Sequence, residues 1–142
     1  MNKIESPVLG ILDAYKASVF AKDVEAFLIL YARDVHVFDM WGAWSYVGIG
    51  AWREMVVNWF GSLGSDRVVV GFDVIQVVET SNLAFIHAFV TFKGLSGEGV
   101  ELRAMNNRMT IALQQQGGAW KVVHQHTSAP VNHETLKVML NR

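Results

Sequence analysis

The spacing of apolar residues changes from helical to alternating near the middle of the chain, and this change restricts the fold more than any other feature. Up to about residue 64, apolar side chains recur every three or four positions, as on one face of an α-helix. Beyond that point the period is two, which is typical of strands. Four long strands are predicted, at 67–78, 83–93, 102–114 and 119–128. Helices followed by consecutive long strands predict an α+β fold with a largely antiparallel sheet.

Three helices are predicted ahead of these strands. Ser6 is suited to the N-cap, and Pro7 to the first turn, of a helix that runs to about residue 21. Asp23 can cap a second helix, and a strand at 35–39 precedes a glycine-rich loop at 40–50. The third helix carries an aromatic and aliphatic stripe, which consists of Trp52, Met55, Val56, Trp59, Phe60 and Leu63. A short closing helix is predicted at 133–140.

The predicted strands carry apolar residues on both faces, so both faces of the sheet need cover. Three helices can cover only one of them. We therefore expect the other, outer face to pack against a second copy of the chain, as a homodimer.

The composition narrows the classes of function. A chain of 142 residues should form one domain, residues 1–142. A net charge of −1 without a basic cluster argues against nucleic acid or an anionic membrane as a partner. Cysteine is absent and no glycine motif would cradle a phosphate, so no cofactor is expected. The first residues lack the apolar core of a signal peptide, and no apolar run reaches membrane-spanning length, so we expect a cytoplasmic protein.

The last predicted strand carries a pattern of aromatic, histidine and proline residues, Trp120-x-x-Val123-His124-x-His126-x-Ser128-x-Pro130. This pattern and the element order resemble the NTF2-like superfamily and, within it, the SnoaL-like group. The pattern also looks like the association domain of calcium/calmodulin-dependent protein kinase II. The resemblance implies a cone of helices wrapped against a curved mixed or antiparallel sheet, a pocket between them, and frequent dimerisation through the outer face. Isomerases, dehydratases, cyclases and non-catalytic modules share this fold, so the fold does not fix the function.

The amino-terminal half is similar to ketosteroid isomerase over Tyr15-Lys-Ala-Ser-Val-Phe-Ala-Lys-Asp23 and over residues 30–39. In that enzyme a tyrosine on the first helix donates a hydrogen bond to the developing oxyanion, and an aspartate at the end of the first strand carries the proton. Tyr15 and Asp39 fall on these positions. The isomerase also uses a protonated aspartate on a later strand, where this chain has Asn106, Asn107 and Arg108.

Two roles remain open for both Asp39 and Tyr15 on the residues alone. Asp39 follows Val35 and Val37 on one face of the strand, and burial beside Trp41 and Trp44 would raise the pKa of its carboxyl toward neutrality. The alternative is a solvated aspartate in a turn. The Tyr15 ring lies on the apolar stripe of the first helix, and its hydroxyl bonds either within the core or to a ligand.

Arg108 shares a strand face with Asn106 and Thr110. Inside a cavity this arginine would need a carboxylate, from Asp39 or from a ligand, because an unpaired buried charge is very costly. Otherwise it points outward at the dimer face.

The histidines also allow alternatives. His124 and His126 share one face of the last strand and could bind a metal together with His87, but structural or interface roles suit them better and no metal is predicted. His87 is either a core residue or a general base. If the resemblance to the kinase association domain holds, the opposite face of the last strand, with Gln125 and Thr127, lines the pocket.

These observations predict a protein that binds a flat, apolar small molecule bearing a carbonyl or carboxylate group. The predicted ligand-binding residues are Trp41, Trp44, Trp59, His87, Asn106, Gln125 and Thr127. As an enzyme it would be a cofactor-free isomerase, dehydratase or cyclase, in which Asp39 moves a proton and Tyr15 or Arg108 stabilises the oxyanion. The alternative is a non-catalytic ligand-binding or oligomerisation module.

Overall fold

The computed structural model describes residues 6–142 and confirms an α+β fold. The elements in chain order are α1 (Pro7–Ala21), α2 (Val24–Leu28), β1 (Tyr31–Phe38), β2 (Tyr46–Val47), α3 (Ile49–Ser62), β3 (Arg67–Glu79), β4 (Leu83–Leu95), β5 (Glu101–Gln116) and β6 (Ala119–Ser128). The first and last residues of each predicted strand lie within two residues of the observed ones, except that β1 begins four residues earlier than predicted. No helix within residues 6–142 combines the length and the apolar character needed to cross a membrane.

The first helix begins and ends where the sequence indicates. The Ser6 hydroxyl accepts a hydrogen bond from the backbone N–H of Leu9, and Pro7 occupies the first turn. Lys22 ends the helix in the left-handed region, with φ of 54°. Its ammonium group donates to the carbonyl oxygens of Gly64 (2.6 Å) and Asp66 (2.9 Å), so the end of α1 is tied to the connection between α3 and β3.

The six strands form one curved, unclosed sheet in the order β2-β1-β6-β5-β4-β3. All neighbouring strands are antiparallel except β1 and β6, which are parallel. The last strand therefore lies in the interior of the sheet, between the first strand and β5. The loop that leaves β1 and the end of β6 consequently meet at one end of the sheet.

A β-bulge at Val123 decides which side chains of β6 point inward. Val122 pairs with Leu113, but His124 pairs with Ala112, so one extra residue is inserted in β6. The insertion reverses the alternation that an unbroken strand would have. Val122 is buried before the bulge, and Gln125 and Thr127 are buried after it.

The helices cover only the inner face of the sheet. Phe27 of α2 lies at the centre of the core and contacts five other aromatic rings at centroid distances of 5.0–6.4 Å, namely Tyr15, Tyr31, Trp52, Trp59 and Phe60. The outer face carries exposed apolar side chains, including Val78 and Phe85. Among residues 6–142, the end of the tail reaches this face, where the Arg142 guanidinium lies 4.2 Å over the Phe89 ring and pairs with Asp73. Val78 and Phe85 remain exposed.

The prediction of a closing helix at 133–140 is wrong. This segment contains a turn and an isolated β-bridge between Val131 and Val138. The Asn132 side chain accepts hydrogen bonds from the backbone N–H groups of Glu134 and Thr135, which favours a local turn over a helix. The tail then runs beside β5 beyond the end of β6, where the Leu140 carbonyl accepts from the backbone N–H of Asn106 at 2.7 Å.

Candidate functional site

A cavity of about 930 Å³ lies between the helices and the inner face of the sheet. Its apolar wall is formed mainly by aromatic and long aliphatic side chains, among them Trp41, Trp52, Met55, Trp59, Phe92, Met105 and Leu140. Four buried polar side chains and the half-buried Asp39 reach the same space, the four being Tyr15, Asn107, Gln125 and Thr127. More exposed polar and charged residues also line it, among them Glu54, Asn58, Asp66, Arg67 and Arg103. An apolar cavity of this size with a few convergent polar groups is typical of a small-molecule site.

The Asp39 carboxyl is held at the point where β1 ends. It follows Val37, whose side chain is fully buried on the same face. One carboxyl oxygen accepts from the Thr127 hydroxyl at 2.9 Å, and the other accepts from the backbone N–H of Trp41 at 3.4 Å. Burial raises the pKa of the Asp39 carboxyl above its ordinary value, and these hydrogen bonds offset part of the rise. Such a carboxyl is suited to both accepting and returning a proton.

Tyr15 supplies a hydrogen-bond donor to the same cavity. Its side chain is only 4% exposed, and its ring is fixed between Phe27 and Phe72, at centroid distances of 5.0 and 5.8 Å. Burial raises the pKa of the Tyr15 hydroxyl far above its ordinary value, and the nearby charge of Asp39 raises it further. The hydroxyl therefore keeps its proton at neutral pH and can donate it in a hydrogen bond.

A second buried tyrosine is already engaged. The Tyr31 hydroxyl donates to the side-chain oxygen of Gln125 at 2.6 Å, and both residues are almost fully buried. Burial also raises the pKa of the Tyr31 hydroxyl. The ring of Trp52 packs against Tyr31 at a centroid distance of 5.8 Å. This pair forms a closed polar contact in the cavity wall, beside the open donor of Tyr15.

Asn107 is one of two residues of the cavity wall, with Trp52, in which a buried polar atom has no hydrogen-bond partner among residues 6–142. Its side chain is 5% exposed, and its oxygen has no hydrogen-bond partner anywhere in residues 6–142. It lies on β5 opposite Val90 of β4. An amide held in this way in an apolar wall is able to bind a polar group of a ligand.

The comparisons with known proteins agree with this architecture. The family model for the SnoaL-like domain matches residues 8–132. The chain belongs to the SnoaL-like domain family. An NTF2-like protein of unknown function from Pseudomonas putida has a structure similar to this SnoaL-like domain, with a TM-score of 0.85 and 25% sequence identity over 97% of this chain and 94% of that one. The resemblance predicted from the sequence is therefore confirmed. No curated protein matches the chain.

Two further solved structures share the fold of this SnoaL-like domain at lower identity. A ketosteroid isomerase-like protein from Erwinia carotovora has a TM-score of 0.70 and 18% identity, with 90% of this chain and 97% of that one covered. A protein from Xanthomonas campestris, assigned to the calcium/calmodulin-dependent protein kinase II association domain, also has a TM-score of 0.70 and 18% identity, over 87% and 85%. At these identities the similarity concerns the fold alone.

Six of the residues singled out from the sequence meet around the cavity of this SnoaL-like domain. They are Tyr15, Asp39, Trp41, Trp59, Gln125 and Thr127. The hypothesis that Gln125 and Thr127 face inward agrees with the burial of both side chains. The roles assigned to the six residues remain predictions.

Arg108, Asn106 and His87 lie on the outer face of the sheet, not in the cavity. Since Asn107 and Met109 point inward, Arg108 between them points outward, where its Nε donates to the Ser128 hydroxyl at 3.2 Å. The outward alternative for Arg108 is thus the one that the structure supports. Asn106 donates to the Thr91 hydroxyl at 2.9 Å, also away from the cavity.

The exposed rings of His87 and Trp44 also lie outside the cavity lining. His87 stacks on Phe85 at a centroid distance of 6.3 Å. It shares a row across the outer face with Thr110 and His126, so two strand spacings, about 10 Å, separate the two histidines. Trp44 is 98% exposed in the loop before β2. Neither residue is placed to contact a ligand in this cavity.

His124 and His126 take part in an aromatic group on the outer face. The ring of Phe38 lies between them, at centroid distances of 4.9 and 5.5 Å. The Nδ1 of His124 is 2.6 Å from the carbonyl oxygen of His36, to which its N–H donates. These contacts are structural, and they agree with the non-metal alternative.

Asn107 is the site residue that the sequence analysis assigned to no role. Asn106 was predicted to line the pocket, although a signal that its neighbour Asn107 faces inward was present. Met109 and Ile111 are the strongest apolar residues of that strand and share a face with Asn107. The inward direction of that face follows from their burial.

Proposed function

We propose that this protein binds a flat, mainly apolar ketone or related carbonyl compound and transfers a proton on it without a cofactor. The observation that carries the proposal is the Asp39 carboxyl, whose pKa is raised by burial, in one cavity with the protonated Tyr15 hydroxyl. A base and an oxyanion donor beside an apolar binding space are the groups that enolisation requires.

The reaction begins when the Asp39 carboxylate removes a proton from the carbon next to the carbonyl group. The electron pair of the broken C–H bond forms the enolate, whose oxygen accepts a hydrogen bond from Tyr15. If the ketone has a β,γ C=C bond, the protonated Asp39 returns the proton to the γ-carbon of the dienolate, which gives isomerisation. If it has a β-hydroxyl group, Asp39 protonates that group as it leaves as water, which gives dehydration. Attack of the enolate on a second carbonyl carbon, with the Asp39 proton passing to the resulting alkoxide, would give cyclisation. The Thr127 hydroxyl keeps the carboxyl oriented throughout.

The first step can be tested without knowledge of the natural substrate. In D₂O, exchange of the protons next to the carbonyl of 2-tetralone, a flat bicyclic ketone, is followed by NMR. We expect the protein to accelerate exchange over buffer, and Asp39→Asn to lower the protein-dependent rate by about 10²–10⁴-fold, the usual contribution of a general base. Tyr15→Phe should also lower it.

The matched control is Asp34→Asn, which removes an exposed carboxylate from the same strand. It should retain the wild-type exchange rate. Binding of 2-tetralone without accelerated exchange would contradict proton transfer and would favour the non-catalytic, ligand-binding alternative.

We also propose that the protein is a homodimer formed through the outer face of the sheet. The helices leave this face uncovered, and β3 and β4 present apolar side chains on it, including Val69, Val78 and Phe85, each 38–54% exposed. A second copy of the same face would remove this surface from water.

A further inference from the structure

We propose that Asn107 recognises a hydroxyl group on the ligand and so forms a second polar position in the cavity, distinct from the position formed by Asp39 and Tyr15. The orientation assigned to the ligand, with its carbonyl at Asp39 and Tyr15, depends on the proposed function. Recognition of the hydroxyl by Asn107 does not, because it follows from the burial and bonding of Asn107 itself.

The hydrogen-bonding capacity of the Asn107 amide is not fully met within residues 6–142. The side chain is 5% exposed, and its oxygen is buried without a partner among residues 6–142. Its neighbours on the inner face are apolar, namely Val90 across the ladder and Met105 and Met109 along the strand. A buried amide oxygen that lacks a donor is costly, and rotation of the amide can turn that oxygen toward the cavity, where a ligand that supplies the donor recovers part of the cost.

The chemistry of the Asn107 amide limits which group of a ligand can bond to it. Rotation of an amide by 180° about its last bond exchanges the oxygen acceptor for the NH₂ donor at the same place. A hydroxyl group can both donate and accept, so it meets either orientation. An ether or carbonyl oxygen can only accept, and a hydrocarbon can do neither. A hydroxyl group is therefore the partner that suits both orientations of the amide, whereas an ether or carbonyl oxygen suits only the orientation that presents the NH₂ group.

Asn107 lies some distance from Asp39, the residue proposed to transfer the proton. Thr127, which holds Asp39, pairs with Met109, and Asn107 lies two residues farther along β5. Two strand spacings across the sheet and two residues along it separate the α-carbons of Asp39 and Asn107 by about 12 Å. The side chains converge inside a curved sheet, so two fused rings can bridge the two positions. The ligand class is therefore a bicyclic or larger ketone with a hydroxyl group at the far end.

The experiment compares three ligands that differ only at that end, namely 2-tetralone, 6-hydroxy-2-tetralone and 6-methoxy-2-tetralone. Calorimetry should show that the wild type binds the hydroxyl compound about tenfold more tightly than 2-tetralone, the effect of one well-made buried hydrogen bond. The methoxy compound should show a weaker preference, because its oxygen can accept from the NH₂ group but cannot donate to the amide oxygen.

Asn107→Leu removes the amide and keeps a side chain of similar volume. It should bind 2-tetralone as the wild type does and lose most of the tenfold preference. It should also raise the Tm of the ligand-free protein by about 3 °C, because a buried polar group without a partner is removed. The matched control is Asn106→Leu, which changes the same residue type one position away on the outer face and should retain the preference.

A wild-type protein without a preference for the hydroxyl compound would overturn the proposal. So would an equal preference for the methoxy compound, an unchanged preference in Asn107→Leu, or failure of all three ligands to bind. The outcome is separate from that of the proposed chemistry. Asp39→Asn should keep the hydroxyl preference, so binding that follows Asn107 without proton exchange would reject only the chemistry, and exchange without the preference would reject only the role of Asn107.

Discussion

At the scale of single residues, two opposing effects set the pKa of the Asp39 carboxyl. Burial raises the pKa of its carboxyl, while the hydrogen bonds from Thr127 and from the backbone at Trp41 and Met40 lower it. Burial is the larger effect, so the carboxyl retains a proton to a higher pH than an ordinary aspartate does. The same carboxylate is thereby a stronger base than an ordinary aspartate.

This balance predicts how stability depends on pH. Because the folded protein binds the Asp39 proton more tightly than the unfolded chain, it loses stability as the pH rises from the ordinary aspartate pKa through the raised one. Asp39→Asn removes this loss and keeps an oxygen that accepts from Thr127. The free energy of unfolding of the variant should therefore increase relative to the wild type as the pH rises through that window.

Urea denaturation at several pH values measures this difference. Asp34→Asn, which also removes one negative charge from β1, is the matched control for the general effect of charge. A wild type that gains stability relative to Asp39→Asn over the same pH window would contradict the sign of the shift.

The sequence located the catalytic candidates better than it located their neighbours. Asp39 could be placed because it continues the buried alternation of Val35 and Val37. Asn106 was assigned to the cavity and Arg108 was left open between the cavity and the outer face, because a shift of one residue exchanges the two faces of a strand. Which face of β5 points inward is set by the pairing of five strands, and a single strand contains only part of that information.

At the scale of elements, α2 shows how tertiary contacts maintain a segment that is too short to be stable alone. It has five residues, far fewer than an isolated helix needs in water. Asp23 caps it by accepting from the backbone N–H of Ala26 at 3.0 Å. Phe27 is fully buried among five aromatic rings. We infer that Phe27 fixes α2 against the sheet.

Phe27→Ala should therefore lower the free energy of unfolding by about 3–5 kcal/mol, the usual cost of truncating a buried phenylalanine. The comparison is Phe20→Ala on α1, whose ring is 44% exposed and which should cost far less. Both values come from urea denaturation monitored by circular dichroism. Similar losses in the two variants would show that Phe27 does not have the central position described.

Element boundaries were predictable where local chemistry marks them, and the exceptions have physical causes. Ser6 and Pro7 mark the start of α1, and Gly117 and Gly118 mark the turn between β5 and β6. No glycine or proline marks the bulge at Val123 in the sequence. The bulge is a shift in the pairing of β6 with β5, so it depends on contacts between strands and not on local residues. In the tail a short helix was predicted, but Asn132 stabilises a turn instead.

At the scale of the whole molecule, the fold was predictable because the element order and the family resemblance pointed to the same cone. The uncovered outer face leads to the proposed dimer, which should have twice the 15.9 kDa mass of the chain in light scattering after size exclusion. Phe85→Asp places a charge in the centre of that face and should give monomers. Val57→Asp, on the exposed side of α3, should not. A monomeric wild type at tens of micromolar would contradict the proposal.

The central claim is that the cavity removes the Asp39 carboxyl from water while leaving it accessible to a ligand. The most direct measurement is a ¹³C NMR titration of the aspartate carboxyl carbons, with the Asp39 signal assigned by its loss in Asp39→Asn. The account predicts a midpoint above the ordinary aspartate pKa and a change of that signal when 2-tetralone binds. A midpoint at or below the ordinary value, with a signal that the ligand does not alter, would contradict it.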